Sequence, residues 1–303
     1  MYDMIIVGGG PAGLTAAVYA LRAGKTVLVI EKNSFGGQIA FSPKVENIPG
    51  TIAISGAEFA EALTDQAMNL GAEVELEHVV KVEKAAEGFR VYTEEENCFE
   101  GRTVILALGV KHRLLGLPGE EELVGQGLSF CAVCDGAFYT GQDVAMIGGG
   151  NSALQEALLL SEVCKSVTVV QNLPTFTGEV KLAKALMAKE NVTVHFSTLV
   201  TGYLSENGQL SGLEIAHQDT GKTEILKLDG AFLAVGLQPR NENFAELAQV
   251  NDWGYFDSGE DCVTGTPGLF VAGDCRSKRI RQVVTASADG AIAAMAACRY
   301  LEL

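Results

Sequence analysis

The stretch "DMIIVGGGPAGLTAAVYALRAGKTVLVIE", residues 3 to 31, decides the fold, because it reads as strand, glycine turn, helix and strand. The apolar runs at its two ends predict buried strands, and small residues between them recur at helical spacing. Its glycines, Gly8, Gly10 and Gly13, would let a pyrophosphate approach the backbone at the helix N-terminus. Glu31 could accept hydrogen bonds from the ribose hydroxyls of the same ligand. The stretch therefore predicts a dinucleotide-binding unit.

A second copy of this unit lies 140 residues further on, in "DVAMIGGGNSALQEALLLSEVCKSVTVVQ", residues 143 to 171. The matching positions are Gly8 with Gly148, Gly10 with Gly150, Gly13 with Ala153, and Glu31 with Gln171. Each copy has a later partner strand, at residues 103 to 109 in the first and residues 230 to 236 in the second. The repeat predicts an α/β protein with two Rossmann-like, three-layer dinucleotide-binding domains.

The C-terminal segment "TPGLFVAGDCRSKRIRQVVTASADGAIAAMAA", residues 266 to 297, adds a strand, a Gly-Asp turn and a small-residue helix. The simplest arrangement returns this segment to the first domain, so that the second domain is inserted into the first. We therefore expect a first domain of residues 1–113 and 245–303, and an inserted domain of residues 114–244.

Composition narrows the class of protein further. The formal net charge of −16 argues against nucleic acid as a partner. No apolar run is long enough to span a membrane, and the first strand lacks the features of a secretory signal. Seven irregularly spaced cysteines do not form the framework of an extracellular disulfide-rich protein. We therefore expect a cytoplasmic protein that is not bound to a membrane.

The segment "CAVCDGAF", residues 131 to 138, places Cys131 and Cys134 two residues apart, with Asp135 directly after them. A zinc site would need about four ligands, and no second cysteine or histidine pair completes one. A redox disulfide needs only the two thiols, and an adjacent carboxyl could pass a proton to or from them. The alternative is two structural cysteines that never pair.

Seven motifs in this order resemble the low-molecular-weight thioredoxin reductases: "GGGPAG", "GGQ", "VENIPG", "CAVCDGAF", "GGGNSA", "GLFVAGDC" and "RQVVTASADGAIAA". The resemblance covers almost the whole chain. It implies a homodimeric flavoprotein in which FAD occupies the first site and NAD(P)H the second. Electrons would pass from the donor to the flavin, then to the disulfide, and then to thioredoxin.

The resemblance also implies roles for individual residues. Cys131 and Cys134 would be the redox pair, and Asp135 would be the proton donor. The residues implied at FAD are Gly8, Gly10, Pro11, Ala12, Gly13, Glu31, Lys32, Gly37, Gln38, Asn47, Val80, Ala107, Gly273, Asp274, Arg281, Gln282 and Val283. The residues implied at the nicotinamide nucleotide are Gly148, Gly150, Asn151, Ser152 and Ala153.

The chain departs from the family at the end of the second strand of the second copy. There the family has His-Arg-Arg and a further arginine, which hold the 2′-phosphate of NADPH. This chain has Gln171, Asn172 and Leu173 at the triplet and Thr177 at the last arginine, and no acid typical of an NADH site. Lys181 and Lys184 are cations nearby, but they are not at the family's positions.

The sequence leaves four alternatives for the source of electrons. They are NADH, NADPH, reduced ferredoxin, and a second flavin bound in the nicotinamide site. An oxidase that passes electrons from small dithiols to oxygen is an alternative activity. A basic group of Arg276, Lys278, Arg279 and Arg281 could dock an acidic protein such as ferredoxin or thioredoxin. Its simpler interpretation is a solvated loop with one contact to the flavin.

Overall fold

The computed structural model describes residues 1–41, 45 and 47–302, with their side chains except those of residues 41, 133 and 134. The chain divides into two compact units. The first consists of Met1–Lys111 and Gln238–Leu303, and the second of His112–Leu237.

Strands and short helices alternate along most of the chain. The strands are β1 (Tyr2–Val7), β2 (Val27–Glu31), β3 (Glu73–Leu76), β4 (Val79–Lys84), β5 (Phe89–Thr93), β6 (Cys98–Leu106), β7 (Lys111–His112), β8 (Leu128–Ser129), β9 (Asp143–Ile147), β10 (Ser166–Val170), β11 (Val192–His195), β12 (Thr198–Glu206), β13 (Gln209–His217), β14 (Thr223–Lys227), β15 (Gly230–Leu233), β16 (Leu237–Gln238) and β17 (Leu269–Val271). The α-helices are α1 (Pro11–Arg22), α2 (Gly56–Asn69), α3 (Glu120–Leu123), α4 (Ala132–Asp135), α5 (Asn151–Val163), α6 (Val180–Met187) and α7 (Val283–Leu301). Short 3₁₀ helices cover Gly37–Phe41, Gly136–Tyr139, Glu242–Phe244 and Gly273–Cys275.

The first unit is built on a seven-stranded sheet in the order β3–β2–β1–β6–β5–β4, with β17 also paired to β6. β1 runs parallel to β2 and β6, whereas β5 runs antiparallel to β4 and β6. Met4 and Ile6 pack with α1 and α7 on one face of the sheet. Ile5 and Val7 pack into the cluster on the other face. Because both faces are buried, β1 reads as a continuous apolar run instead of an alternating one.

Helices α1 and α7 cross closely because the crossing point carries a glycine. A Cβ on Gly290 of α7 would lie 2.0 Å from the Ala12 backbone oxygen of α1. No side chain fits there, so the backbones of the two helices meet directly. This crossing holds the N-terminus of α1, which follows the first glycine turn, beside Gly290, about two turns into α7.

The second unit contains a five-stranded sheet in the order β11–β10–β9–β15–β8 and a separate antiparallel sheet of β12, β13 and β14. The strands of the five-stranded sheet are parallel. Met146 and Val144 of β9 pack against α5, and Ala145 and Ile147 pack on the opposite face, where β13 contributes Leu213.

The two copies of the strand–turn–helix–strand motif adopt the same backbone. Gly8 and Gly148 have φ of +111° and +127°, a region that strongly favours glycine. Gly10 and Gly150 precede α1 and α5 with almost identical extended dihedrals. The prediction of an α/β fold with two Rossmann-like units is therefore confirmed. Within the part of the chain that the structure describes, no helix has the length and apolar character needed to cross a bilayer.

Candidate dinucleotide and dithiol sites

In the first glycine turn, backbone segments approach one another so closely that side chains do not fit at Gly8 and Gly13. A Cβ on Gly8 would lie 2.3 Å from the Ala107 oxygen, and one on Gly13 would lie 1.9 Å from the Gly8 oxygen. No side chain caps α1, and Pro11 occupies its first turn, so its N-terminal amides are available to an anion. The arrangement can hold a pyrophosphate.

Glu31 closes one side of this turn from the end of β2. One carboxylate oxygen accepts a hydrogen bond from Gly9 N at 2.7 Å, and the other accepts one from Asn33 N at 3.0 Å. The loop after β2 lies on the turn as well, because Gly36 N donates to Gly9 O at 2.7 Å. Gly37 has φ of +64°, and a Cβ on it would lie 3.1 Å from Gly10 Cα, so this position also favours glycine. Lys32 is exposed beside Glu31.

A Gly-Asp turn approaches the same helix N-terminus. A Cβ on Gly273 would lie 2.8 Å from Ala12 Cβ. The next residue, Asp274, has a buried Oδ1 atom without a hydrogen-bond partner among the described residues, and burial raises the pKa of its carboxyl. A buried acceptor without a donor costs free energy unless a ligand supplies the hydrogen bond. Asp274 could therefore form a hydrogen bond with a ligand hydroxyl.

The remaining residues predicted in the first unit occupy several places. Asn47 Nδ2 donates to Gln282 Oε1 at 2.9 Å, which joins two predicted residues that are 235 positions apart. Gln38 donates through its amide to the Val110 oxygen. Val80 lies half-buried in β4, at one edge of the sheet, and Val283 is the first residue of α7. For Val80 and Val283, a part in the site stays a prediction.

Arg281 lies beside the Gly-Asp turn. Its Nε atom donates to the backbone carbonyl oxygen of Asp274 at 3.2 Å, not to the carboxyl group. Its guanidinium lies 4.0 Å from the centre of the Tyr255 ring, a geometry that favours a cation–π interaction. These two contacts hold the arginine against the turn that carries Asp274.

A buried charge cluster supports the Gly-Asp turn and was missed by the sequence analysis. Asp289 of α7 accepts two hydrogen bonds at 2.8 Å from Arg276 and one at 2.8 Å from Lys278. It also accepts one from Gly273 N at 3.0 Å. Burial raises the pKa of Asp289, but the hydrogen bonds from the two cations outweigh burial and leave that pKa lowered. The side chains of all three charged residues are at most 8% exposed.

This cluster corrects one interpretation of the basic group. Arg276 and Lys278 are buried on Asp289 and do not face a partner, whereas Arg279 is exposed. The four cations therefore do not form one docking surface for ferredoxin or thioredoxin. A charge cluster of this kind could have been suspected from the single acid in the small-residue helix, but its burial depends on the packing of α7.

The second glycine turn shows the same close approach of backbone segments. A Cβ on Gly148 would lie 2.3 Å from the Ala234 oxygen, and no side chain caps α5. Ala153 stands where the first copy has Gly13, and it is fully buried without a clash. Asn151 Oδ1, at the start of α5, accepts a hydrogen bond from Glu179 N at 2.6 Å. Ser152 is exposed on the first turn of α5.

Gln171 ends β10 but behaves differently from Glu31. It is only 3% exposed, and its Nε2 atom donates to the Thr175 oxygen at 3.1 Å. The loop after β10 covers the turn, with Thr177 N donating to Gly149 O at 2.9 Å, as Gly36 does in the first unit. Of the residues at the family's cationic positions, Asn172, Leu173 and Thr177 are exposed, and all are neutral. The Gln171 amide is thus bonded within its own loop, whereas the side chain of Asn172 is exposed.

In the cysteine motif, Cys131 directly precedes the short helix α4, and both follow the edge strand β8 in sequence. Cys131 is disulfide-bonded. Ser129 of β8 accepts a hydrogen bond from Cys131 N at 3.1 Å and donates one to the Asp135 carboxylate. Asp135 N also donates to Cys131 O at 3.0 Å. The serine hydroxyl therefore joins the first cysteine to the predicted proton donor, while the Cys134 side chain lies outside the described residues.

The five other cysteines are free thiols, of which Cys98 is exposed and the rest are buried. Burial raises the pKa of Cys262 to about 12 and that of Cys275 to about 11. A thiol that stays protonated at neutral pH is a poor nucleophile. Cys262 and Cys275 are therefore unsuited to nucleophilic chemistry in this fold.

Two dinucleotide-type turns and a disulfide-bonded cysteine next to an acid are the parts of a disulfide oxidoreductase that uses nucleotide cofactors. The comparisons with known proteins give the family. The chain belongs to the pyridine nucleotide-disulphide oxidoreductases, whose family profile matches residues 2–290.

Relatives and solved structures match over the full length. Thioredoxin reductase of Bacillus subtilis is 37% identical over all of this chain and 95% of its own. A protein described as a 34.2 kDa protein in the rubredoxin operon of Clostridium pasteurianum is 35% identical over 99% of this chain and 97% of its own. The crystal structure of Lactococcus lactis thioredoxin reductase in the FR conformation matches with a TM-score of 0.95, 33% identity and complete coverage of both chains. That of T. acidophilum thioredoxin reductase matches with a TM-score of 0.91, 32% identity and 98% of each chain. The resemblance expected from the motifs is confirmed.

Proposed function

We propose that this protein is a flavin-dependent thioredoxin-disulfide reductase, which passes two electrons from a donor through FAD to Cys131 and Cys134. The dithiol would then reduce the disulfide of a thioredoxin-like protein. The observation that carries the proposal is the disulfide-bonded Cys131, joined through Ser129 to Asp135, in a chain whose relatives are named thioredoxin reductases. The relatives support thioredoxin as the partner by analogy.

The first unit fits FAD. The glycine turn can take the pyrophosphate, Glu31 the ribose, and the partnerless Asp274 oxygen a hydroxyl of the ribityl chain. We assign Asn47, Gln282 and Arg281 to the edge of the flavin. When bound, FAD would supply electron transfer between the donor and the disulfide, because a cysteine pair cannot itself take a hydride from a nicotinamide. We assign FAD to the unit of residues 1–111 and 238–303, and the pyridine nucleotide to the unit of residues 112–237.

The residues around the disulfide would supply the protons that its reduction requires. Breaking the S–S bond to two thiols takes up two electrons and two protons. Asp135 is within hydrogen-bonding distance of Ser129, and Ser129 binds the Cys131 amide, so the carboxyl is held close to the sulfur chemistry. We propose that Asp135 delivers a proton to the departing thiolate, and that Ser129 positions it. The predicted pairing of Cys131 with Cys134 belongs to the same proposal.

Replacing Ser129 by Ala should lower kcat for thioredoxin-disulfide reduction by roughly 10-fold to 100-fold, because misplacing a catalytic group costs rate. Bound FAD, measured by its visible absorbance, should be unchanged. Ser161→Ala is the control, since Ser161 is also a buried serine of this unit and its hydroxyl donates only to the Leu158 oxygen. Equal kcat values for both variants would show that Ser129 does not position the acid.

We propose NADH as the electron donor. The intact second glycine turn supports a pyrophosphate, and the neutral Asn172, Leu173 and Thr177 offer nothing to a 2′-phosphate. Lys181 and Lys184 are exposed on α6, away from the family's arginine positions. A phosphate without charge-assisted hydrogen bonds is bound weakly.

Anaerobic titration of the flavin absorbance should show reduction by NADH at a concentration roughly 10-fold to 100-fold lower than by NADPH, which corresponds to one or two missing charged hydrogen bonds. The triple variant Asn172→Arg, Leu173→Arg and Thr177→Arg should reverse this preference. The matched control is Ala185→Arg, which adds an exposed arginine to α6, the helix that carries Lys181 and Lys184, and should leave the preference unchanged.

Reduction by NADPH at equal or lower concentration would refute the donor assignment. Reduction by ferredoxin alone would indicate the ferredoxin-dependent alternative, and rapid reoxidation by oxygen without thioredoxin turnover would indicate the oxidase.

The quaternary state and the cellular location are also proposals. We propose a homodimer in the cytoplasm, by analogy with the family and from the composition of the chain. The elution volume of the purified protein in size-exclusion chromatography with light scattering tests the dimer.

A further inference from the structure

Glu156 is a partly buried acid that the proposed chemistry has not used. It lies on α5, in the second turn of the helix that begins at the second glycine turn. Its Oε2 atom accepts a hydrogen bond at 3.1 Å from the backbone amide of Ala132, 24 residues earlier. Ala132 is the first residue of α4 and directly follows Cys131, and it is only 2% exposed. The carboxyl group therefore contacts the backbone of the cysteine motif itself.

Among the residues that the structure describes, none supplies a cation that shifts the pKa of Glu156. Burial raises the pKa of Glu156 to about 7, and only the hydrogen bond from the Ala132 amide opposes this. The elements packed on α5 carry a few titratable groups: Asp135 on α4, Tyr139 in the following 3₁₀ helix, Asp143 on β9, and Lys181 and Lys184 on α6. None of these groups contributes to the pKa of Glu156. The charge of this carboxyl can therefore change near neutral pH.

We propose that Glu156 is a positioning residue that controls, through its own charge, how much of the reduced cysteine pair is thiolate. The Ala132 amide that binds Glu156 is bonded directly to Cys131, so the carboxyl group lies near that cysteine. A negative charge near a thiol raises the pKa of that thiol, whereas a neutral carboxyl does not. In the reduced protein, the Glu156 carboxyl group and a cysteine thiol compete for one proton. Either Glu156 is a carboxylate and the cysteine a thiol, or Glu156 is a neutral carboxyl and the cysteine a thiolate. The exchange moves a proton and no electrons. Two groups coupled in this way titrate as a pair. The inference rests on the proposed function only in taking Cys131 to be redox-active.

The substitution Glu156→Gln separates charge from structure, because the amide oxygen can still accept the Ala132 hydrogen bond while the group no longer titrates. Glu162→Gln is the matched control. Glu162 lies on the same helix, but its carboxylate is 62% exposed and pairs with Lys189. Glu162 does not contact the cysteine motif among the contacts described for it, so only Glu156→Gln changes the charge next to Cys131.

The experiment measures alkylation of Cys131 by iodoacetamide, after chemical reduction, across roughly pH 5 to 9, the range in which carboxyl and thiol titrate. Mass spectrometry of the Cys131 peptide excludes signal from the exposed Cys98. The parent protein and Glu162→Gln should show a two-step pH profile. Glu156→Gln should show one step, with an apparent thiol pKa about one unit lower and roughly 10-fold faster alkylation near neutral pH.

A second readout uses stability, which does not depend on turnover. The folded-state pKa of Glu156 is raised, so its contribution to stability is present below the ordinary glutamate pKa and lost as pH rises through about 7. The melting temperature of the parent protein should therefore fall relative to that of Glu156→Gln over this interval. Superimposable alkylation profiles for the parent and Glu156→Gln would overturn the inference. Altered alkylation without any thioredoxin reduction would refute the proposed function and leave the role of Glu156 intact.

Discussion

Cys131→Ser should abolish reduction of a thioredoxin disulfide, with kcat lower by roughly 10³-fold or more, because the exchange cannot proceed without the attacking or leaving thiol. Bound FAD should be retained at the level of the parent protein, since the residues assigned to it lie in the unit of residues 1–111 and 238–303. The flavin should still be reduced by NADH. The measurement is NADH oxidation coupled to an oxidised thioredoxin, together with the flavin spectrum of the same preparation.

Cys98→Ser provides the control for this result. Cys98 is the exposed free thiol of the first unit, and its replacement should leave turnover unchanged. Cys134→Ser should fail in the same way as Cys131→Ser if the two cysteines form the redox pair. Full turnover by Cys131→Ser would overturn the assignment of the dithiol and, with it, the proposed reductase activity.

Asp289→Asn should lower the free energy of unfolding by about 3 to 5 kcal/mol, the usual cost of leaving buried charges without their partner. Arg276 and Lys278 would both lose their carboxylate, and the Gly273 amide would lose an acceptor. Because Gly273 precedes Asp274 in the Gly-Asp turn, we also expect loss of FAD during purification. Denaturant unfolding and the ratio of visible to ultraviolet absorbance measure the two effects separately.

The control for Asp289→Asn is Glu83→Gln, which breaks the exposed pair of Lys81 and Glu83 in the same unit. Such a pair contributes about 1 kcal/mol or less, so this variant should be close to the parent protein. The pKa of Asp289 is lowered in the fold, so its stabilising contribution is present above the ordinary aspartate pKa and is lost as pH falls through the lowered value. The difference between parent and Asp289→Asn should therefore shrink in acid. A difference of less than 1 kcal/mol at neutral pH would refute the role of the cluster.

The fold was largely predictable because its signals are local. Each dinucleotide unit needs a glycine with positive φ at the end of the first strand, and Gly8 and Gly148 supply it. Buried parallel strands need continuous apolar runs, and β1 and β9 have them. The repeat at 140 residues then predicted that the second unit would copy the first.

The surroundings of the sites were less predictable because they depend on pairs of residues far apart in sequence. Ser129 was not recognised as part of the site, because nothing in the sequence sets apart a serine two residues before Cys131. Its role becomes visible only in the fold, where Asp135 of α4 lies within hydrogen-bonding distance of Ser129 on β8. Gly290 likewise reads as one more small residue of α7, and only the crossing with α1 shows why no side chain fits there. Burial of this kind follows from which helices and strands pack together.

By itself, the sequence determined the two glycine turns, the cysteine motif with Asp135, and the absence of arginines at Gln171, Asn172, Leu173 and Thr177, which correspond to the cationic positions of the thioredoxin reductases. These features follow from the backbone and chemical requirements of a few neighbouring residues. Only the tertiary structure decided that Gln171 is buried in its own loop, that Arg276 and Lys278 face Asp289, and that Glu156 contacts Ala132. The physical reason is that the environment of a polar side chain is set by the elements that pack around it, and packing brings together residues that the sequence separates.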